Sequence, residues 1–168
     1  EEGIAAHVGV AAAVVFVSGH ATNVTTIGHL FGKEDLMLHD SLCHDSILQG
    51  IYLSGAKRLP FSHGDLAELE QILTRLRERY RRVLICTEGL FSMDGDICDL
   101  PGLIDLKKQY QCNLIVDEAH SIGVLGPSGR GIAHHFAGVD PSDVDLWMGT
   151  LSKSFAGCGG YIAGSDSL

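Results

Sequence analysis

Two residues that could do covalent chemistry each follow an apolar run of the sequence. Lys153 comes after the mostly apolar run 144–148 and before a cluster of glycines, an arrangement typical of a buried strand that ends in a tight loop. Desolvation at such a place lowers the pKa of an amine and makes it nucleophilic enough to form a Schiff base. For an isolated lysine, an ordinary solvated loop residue is the more common case, so a second site must support this interpretation.

The second site is Asp117, which ends another apolar run about one strand–helix unit upstream of Lys153. Open α/β sheets place their ligands at the carboxyl ends of the strands, so both side chains should reach one edge of a sheet. A buried carboxylate there could keep a pyridine nitrogen protonated, as pyridoxal phosphate requires. His120 could hydrogen-bond to the phenolic oxygen of that cofactor. The alternative role of Asp117 is to cap a helix.

A third feature could bind an anion. The segment Ser18-Gly19-His20 follows a predicted strand and opens a predicted helix, so free N–H groups and the helix dipole should face the sheet edge. Glycine lets the backbone approach an anion closely. Most strand–glycine–helix turns bind nothing, so this signal is weak by itself. Thr150 and Ser152, at the end of a later strand, could add hydroxyl groups.

Five ordered motifs make the chain resemble the α-oxoamine synthases. That family comprises 8-amino-7-oxononanoate synthase, 2-amino-3-ketobutyrate CoA ligase, serine palmitoyltransferase and 5-aminolevulinate synthase. The motifs are SGHATN at 18–23, TEGLFSMDGD at 87–96, VDEAH at 116–120, GVLGPSGRG at 123–131 and GTLSK at 149–153. Much of the family has an aromatic residue where this chain has His20, which leaves the role of that side chain open. In this respect the chain looks closest to synthase domains found beside polyketide and acyl-carrier modules.

The resemblance implies an α/β fold, namely the large domain of fold-type I pyridoxal-phosphate (PLP) transferases, with a mostly parallel sheet and helices on both faces. It implies PLP as the cofactor, bound to a lysine that also acts as general base, and no metal. The residues that it assigns to catalysis are Lys153, His44, Asp117 and His120. The residues that it assigns to cofactor binding are Gly19, His20, His44, Glu88, Ser92, Asp117, His120, Thr150, Ser152 and Lys153.

The activity that the resemblance implies is the decarboxylative condensation of an amino acid with an acyl thioester, giving an α-amino ketone. The acyl group would arrive on CoA or on an acyl-carrier protein, and the family works as homodimers. Its members are more than twice as long as the 168 residues of this chain. We therefore expect residues 1–168 to be an internal fragment of the cofactor-binding large domain, without the amino-terminal arm and the carboxyl-terminal small domain. Arg130 could reach an anionic substrate or a partner subunit.

Two other classes are alternatives. The motif at 116–120 also resembles the magnesium-binding strand of a DEAH-type helicase. Such an enzyme needs a G-x-x-x-x-G-K-[ST] loop, and the segment 28–34 has one residue too few between its glycines and an acid in place of the hydroxyl. The net charge of −9 argues against a nucleic-acid partner. The other alternative is a non-catalytic scaffold domain in a biosynthetic complex.

Composition and patterning describe the elements that must position these residues. A hydrophobic fraction of 45% suffices for one core. Helices are predicted at 21–31, 45–53, 66–80 and 100–110, and strands or extended segments at 13–17, 35–38, 58–61, 83–87, 114–116, 145–149 and 160–163. This alternation predicts a mostly parallel sheet covered on both faces.

Cysteine usage and hydropathy indicate the compartment. The five cysteines are widely spaced and include no C-x-x-C pair, so reduced thiols are expected. The apolar segment 4–17 is too short to cross a membrane and lacks a signal-peptide cleavage site. We expect a cytoplasmic enzyme with no membrane segment in this chain. Whether a targeting peptide precedes residue 1 in the full protein is left open.

Overall fold

Seven short strands form one mixed sheet in the computed structural model, which describes residues 1–167. The strands are β1 (Ala12–Phe16), β2 (Leu36–Asp40), β3 (Lys57–Phe61), β4 (Val83–Glu88), β5 (Asn113–Asp117), β6 (Leu146–Thr150) and β7 (Gly160–Gly164). Their order across the sheet is β1-β7-β6-β5-β4-β2-β3. Strand β7 runs antiparallel to both of its neighbours, and the other pairs are parallel. The mostly parallel sheet is confirmed. The predicted range 1–168 also includes Leu168, which lies outside the described residues.

Five α-helices connect these strands within residues 1–167. They are α1 (Glu2–Val8), α2 (Gly19–Leu30), α3 (Asp45–Ser54), α4 (Leu66–Leu76) and α5 (Leu100–Tyr110). Helix α5 has the predicted bounds. Helix α4 ends at Leu76 and continues only as the 3-10 turn Arg77–Arg79, so the predicted helix 66–80 was too long. Helix α1 was not predicted, because most of its residues lie in the apolar segment 4–17, in which only Gly9, with φ of 92°, marks the end of the helix.

Alternation along the strands builds a core on each face of the sheet. In β2, for example, Leu36 and Leu38 belong to one buried cluster and Met37 to the other, as the two-residue period of a strand requires. The first cluster packs against α4 and α5, and the second packs against α2 and α3. Helices therefore cover both faces, as predicted. With hydrophobic layers on both sides, the central strands are fixed in register, and their carboxyl ends form a stable edge.

Helices α2 and α3 lie close together because glycines stand where they touch. A Cβ atom on Gly50 would lie 2.8 Å from the backbone oxygen of Asn23 and 2.9 Å from the Cβ of Ile27. A Cβ atom on Gly28 would lie 2.8 Å from a methyl carbon of Leu53. These contacts leave no room for larger residues, so α2 lies directly against α3.

Two further observations concern the environment of the protein. All five cysteines are free thiols, and four of them are buried. No helix within residues 1–167 combines the length and the apolar character that a membrane crossing requires.

Candidate active site

A cavity of about 260 Å³ lies at the edge of the sheet where β4, β5 and β6 end. Its lining consists of Ser18, Gly19, His20, Asn23, His44, Ser46, Glu88, Asp117, Ala119, His120, Met148, Thr150, Ser152 and Lys153. Nine of the ten predicted cofactor-binding residues are among them. Five stretches of the sequence that lie far apart in the chain are thus brought to one place by the fold.

Ser92 is the predicted site residue that the structure places elsewhere. It lies on an exposed turn after β4 and does not line the cavity. The turn closes on itself, since Phe91 N–H donates to the carbonyl oxygen of Asp96 and Gly95 N–H donates to that of Phe91, both at 2.9 Å. This closure keeps Ser92 at the surface, and a role for it in cofactor binding stays a prediction.

Lys153 and His120 meet in the cavity, with Lys153 Nζ 2.5 Å from His120 Nε2. Desolvation lowers the pKa of Lys153, although the carboxylates of Asp117 and Glu88 oppose that change. The pKa of His120 is lowered as well, first by desolvation and then by the charge of Lys153. A less basic amine beside an imidazole that is neutral at neutral pH is the setting in which lysine acts as a nucleophile.

Asp117 is a buried carboxylate, 5% exposed, at the end of β5. Its Oδ2 accepts a hydrogen bond from Asn23 Nδ2 at 2.8 Å, and its Oδ1 accepts one from Ala119 N–H at 2.9 Å. One donor on each oxygen holds the carboxylate in a single orientation. The alternative of a helix cap is not found here, because residues 119–124 form turns.

Glu88 and His44 form the next part of the wall. Glu88 ends β4 directly beside Asp117 in the strand register, and it accepts a hydrogen bond from His44 N–H at 2.6 Å. Burial, and then the negative charge of Asp117, raise the pKa of Glu88 to about 7. The His44 ring caps helix α3, since its Nδ1 accepts from Ser46 N–H at 3.2 Å. The ring is therefore held in place by the start of the helix.

The start of α2 forms a cup suited to an anion. Ser18 caps the helix by accepting a hydrogen bond from Ala21 N–H at 3.1 Å, which leaves the N–H groups of Gly19 and His20 at the open helix terminus. A Cβ atom on Gly19 would lie 2.9 Å from the side chain of Thr150. Glycine is therefore required there for close approach of the backbone to the end of β6.

Hydroxyl groups from the end of β6 complete the cup. Thr150 Oγ1 donates to the carbonyl oxygen of Gly159 at 3.0 Å and lies 2.9 Å from Ser152 Oγ. His20 faces the cup from the side, and its ring meets that of His44 edge-to-face, with 6.5 Å between ring centroids. The α2 terminus, the end of β6 and Lys153 thus all line one small cavity.

Sequence reasoning missed two polar residues of the cavity, Asn23 and Ser46. Each is 1% exposed, and Asn23 Nδ2 donates to Ser46 Oγ at 3.0 Å. Asn23 stands inside the motif at 18–23, so a polar residue on the buried side of a helix was a usable signal. Ser46 carried none, because its partner across the helix interface is 23 residues away.

The family of the chain follows from comparison with known proteins. Residues 1–168 match the family model described as aminotransferase class I and II. The chain belongs to this family. The predicted fold-type I architecture is thereby confirmed.

The relatives include α-oxoamine synthases, which confirms the resemblance found in the sequence. Serine palmitoyltransferase 2 of Saccharomyces cerevisiae is 46% identical over an alignment of 171 positions, which covers 97% of this chain and 30% of that protein. A putative 8-amino-7-oxononanoate synthase of Trichormus variabilis is 46% identical over 156 residues, which are 93% of this chain and 40% of that protein. The chain therefore spans less than half the length of these relatives.

Solved structures give the same result. A serine palmitoyltransferase variant from S. paucimobilis with a bound PLP–myriocin aldimine superposes with a TM-score of 0.90 at 33% identity, covering 96% of this chain and 40% of that chain. The 8-amino-7-oxononanoate synthase of Francisella tularensis superposes with a TM-score of 0.84 at 33% identity, covering 99% of this chain and 47% of that chain. The predicted similarity of this chain to polyketide-associated synthase domains stays a prediction.

The helicase alternative is not supported. Glu118, the acid that such an enzyme would use beside Asp117, accepts hydrogen bonds from Ile132 N–H, at 3.0 Å, and from Ser121 Oγ. Its carboxylate therefore anchors the loop 121–132 and does not line the cavity. Burial raises the pKa of Glu118 to about 7. Within residues 1–167, no group of three or more His, Cys, Asp and Glu side chains could hold a metal ion.

Arg130 contacts the first helix, and its two predicted roles, toward an anionic substrate or a partner subunit, stay predictions. Its Nε donates to the carbonyl oxygen of His7 at 3.0 Å, and its NH2 group lies 3.4 Å from that of Ala6. These carbonyl groups belong to the last turn of α1, which has no intrahelical donors for them. Arg130 therefore joins the 123–131 loop to the first helix.

Proposed function

We propose that this chain forms the cofactor-binding part of a PLP-dependent acyltransferase, which joins an amino acid to an acyl thioester with loss of carbon dioxide. The observation that carries the proposal is the meeting of Lys153 and His120 at 2.5 Å in the cavity that also holds the oriented carboxylate of Asp117. The similarity to serine palmitoyltransferases and to an 8-amino-7-oxononanoate synthase supports the reaction type.

The residues of the cavity fit PLP. The N–H groups of Gly19 and His20 would hold its phosphate at the helix terminus, together with the hydroxyl groups of Thr150 and Ser152. The close contact between position 19 and Thr150, which excludes a side chain, is the kind of cradle that a bound anion needs. When bound, PLP supplies an electron sink that stabilises negative charge at the Cα atom of an amino acid.

Each of the remaining side chains then has a definite task. Asp117 would keep a proton on the pyridine nitrogen, and its two hydrogen bonds fix the orientation that this requires. His44 would lie against the ring, and His120 would bind the phenolic oxygen. Lys153 would hold the cofactor covalently through Nζ and would take the Cα proton as general base, which the lowered pKa of this amine favours.

The substrates and the assembly are part of the same proposal. The acyl donor would be a thioester of CoA or of an acyl-carrier protein, and the amino acid is not specified by the residues described. We propose a homodimer, as the resemblance implies, which light scattering of the purified protein would test. Five free thiols support a reducing compartment such as the cytoplasm.

Chemical trapping tests the proposal. Borohydride reduction of the protein carrying this chain, loaded with PLP, should leave a pyridoxyl label that peptide mapping finds on Lys153. Lys153→Ala should abolish the label, whereas exchange of the exposed Lys108 to Ala should leave it unchanged. A label on another lysine would overturn the assignment, and no label at all would favour the scaffold alternative.

A further inference from the structure

We propose that Asn23 and Ser46 are positioning residues, which hold the His44 ring in one neutral form with its proton on Nε2. The inference rests on the proposed function, because His44 is the residue expected to lie against the cofactor. It concerns a chain of hydrogen bonds that runs from Asp117 through Asn23 and Ser46 to His44. Nothing in the motif pattern of the sequence indicated this chain of contacts.

The donor and acceptor roles in this series of hydrogen bonds are set first at the side-chain amide of Asn23. Its Nδ2 lies 2.8 Å from Asp117 Oδ2 and 3.0 Å from Ser46 Oγ. A carboxylate can only accept hydrogen bonds, so the NH2 group and not the amide oxygen must face Asp117. The second N–H of the same group then donates to Ser46 Oγ. The amide oxygen is buried without a hydrogen-bond partner among the described residues, which shows that the contacts of Nδ2 decide the orientation.

Ser46 in turn sets the role of the nearest nitrogen atom of the His44 ring. Since its Oγ accepts from Asn23, its own hydrogen is free to donate to His44 Nδ1, which lies 2.7 Å away. The N–H of Ser46 also donates to His44 Nδ1, at 3.2 Å. Both donors require a lone pair on Nδ1. A neutral imidazole that accepts at Nδ1 carries its proton on Nε2.

The position of His44 at the start of α3 also favours the tautomer with the proton on Nε2. The open N–H groups of a helix terminus carry partial positive charge. A proton on Nδ1 would face that charge and would also remove the cap that the ring provides. The helix start and the Asn23–Ser46 pair therefore favour the same tautomer for separate physical reasons.

Tight helix packing makes this arrangement possible. Asn23 lies on α2 and Ser46 on α3, and the two helices touch at Gly50, where a Cβ atom would lie 2.8 Å from the backbone oxygen of Asn23. Both polar side chains are 1% exposed, so water competes little for their hydrogen bonds. The geometry is consequently set by the protein and not by solvent.

The consequence for the reaction concerns the other edge of the ring. With its proton on Nε2, His44 offers the cavity a hydrogen-bond donor, and a carboxylate or carbonyl oxygen of the substrate can accept from it. With the proton on Nδ1, the ring would offer a lone pair, which repels such an oxygen. Asn23 and Ser46 would thus decide which type of group His44 can orient.

Nitrogen NMR of the cofactor-free protein with ¹⁵N-labelled histidine tests the inference. The signals of His44 are identified by their loss in His44→Gln. In the wild type we expect the Nε2–H form. Ser46→Ala and Asn23→Ala should each shift the tautomer ratio toward Nδ1–H by about fivefold, which corresponds to about 1 kcal/mol, the contribution of one neutral hydrogen bond. Ser46→Thr retains the hydroxyl group and should restore the ratio of the wild type.

A wild-type His44 with its proton on Nδ1 would overturn the inference, and so would an unchanged ratio in folded Ser46→Ala and Asn23→Ala. If these variants do not fold, the wild-type tautomer alone decides. The measurement needs no cofactor, so its outcome is separate from the trapping experiment. A pyridoxyl label on Lys153 together with the Nδ1–H form would refute this inference and leave the proposed function standing. The Nε2–H form without a pyridoxyl label on Lys153 would support the tautomer and refute the proposed function.

Discussion

Glu88 is a buried carboxyl group whose titration should be visible in this protein. It is 5% exposed and stands beside Asp117 across the sheet. Burial, and then the charge of Asp117, raise its pKa from 4.5 to about 7. Because the folded state binds this proton more tightly than the unfolded chain does, the stabilising contribution is complete below pH 4.5 and is lost as the pH rises through about 7.

The size of the effect follows from these two values. Each pH unit between the unfolded and the folded pKa is worth about 1.4 kcal/mol, so the ionisation of Glu88 costs the folded state at most about 3.5 kcal/mol above pH 7. Glu88→Gln has the same shape and no charge, and its amide oxygen can still accept the hydrogen bond from His44 N–H. We therefore expect the variant to gain up to about 3.5 kcal/mol of stability over the wild type as the pH rises from 4.5 to above 7.

Infrared difference spectroscopy of the cofactor-free protein measures the titration directly. A wild-type minus Glu88→Gln spectrum should contain the C=O band of a protonated carboxyl group, and this band should disappear with a midpoint near pH 7. Glu78→Gln, which changes an exposed glutamate, should leave the band in place. Denaturant midpoints at the same pH values report the stability. A band that disappears near pH 4.5 would refute the argument from burial and from the Asp117 charge.

Three further predictions concern the site and the extent of the chain. Asp117→Asn should keep some cofactor but lose most turnover, because one charge-assisted hydrogen bond is worth about 1.5–3 kcal/mol; condensation activity near that of the wild type would contradict its role. Gly19→Ala should weaken PLP binding at least about tenfold, because the added Cβ atom would clash with Thr150. Gly3→Ala should not change PLP binding, because there is open space around Gly3. Absorbance titration with PLP measures the affinity of both variants. Residues 1–168 alone should release no thiol from acyl thioesters when an amino acid is added. The reasons are that exposed apolar side chains such as Val17, which is 81% exposed, favour aggregation, and that the relatives are much longer. Amino-acid-dependent thiol release at the rate of an intact synthase would contradict this prediction.

Local chemistry made most of the fold and of the predicted site readable from the sequence. Short apolar runs ending at polar residues predicted the strands, and their parallel arrangement requires that residues such as Asp117 and Lys153 reach one edge. The start of α2 was placed less well, because the predicted helix began at residue 21 and the structure begins it at Gly19, capped by Ser18. The motifs then indicated the family, because each combines a strand end with a residue type that one cofactor needs.

Orientation at the strand ends was decided by tertiary structure. Asp117 and Glu118 are neighbours in the sequence, yet Asp117 lines the cavity and Glu118 holds the 121–132 loop from within the core. The sequence pointed to Asp117 as the end of the apolar run, but it gave no sign of what Glu118 contacts. The difference arises because the side chains of successive residues point to opposite faces and each face has its own packing partners.

Contacts between distant segments were likewise beyond the sequence. The link from Asn23 to Ser46 depends on how closely α2 approaches α3, and the attachment of Arg130 to α1 depends on a helix that the sequence did not indicate. The position of Ser92 depends on how one turn closes. The sequence by itself therefore determined which chemical groups the protein carries and which strands deliver them. The packing of helices and loops on those strands decided which groups hold one another in place, because those hydrogen bonds join residues that only folding brings within reach.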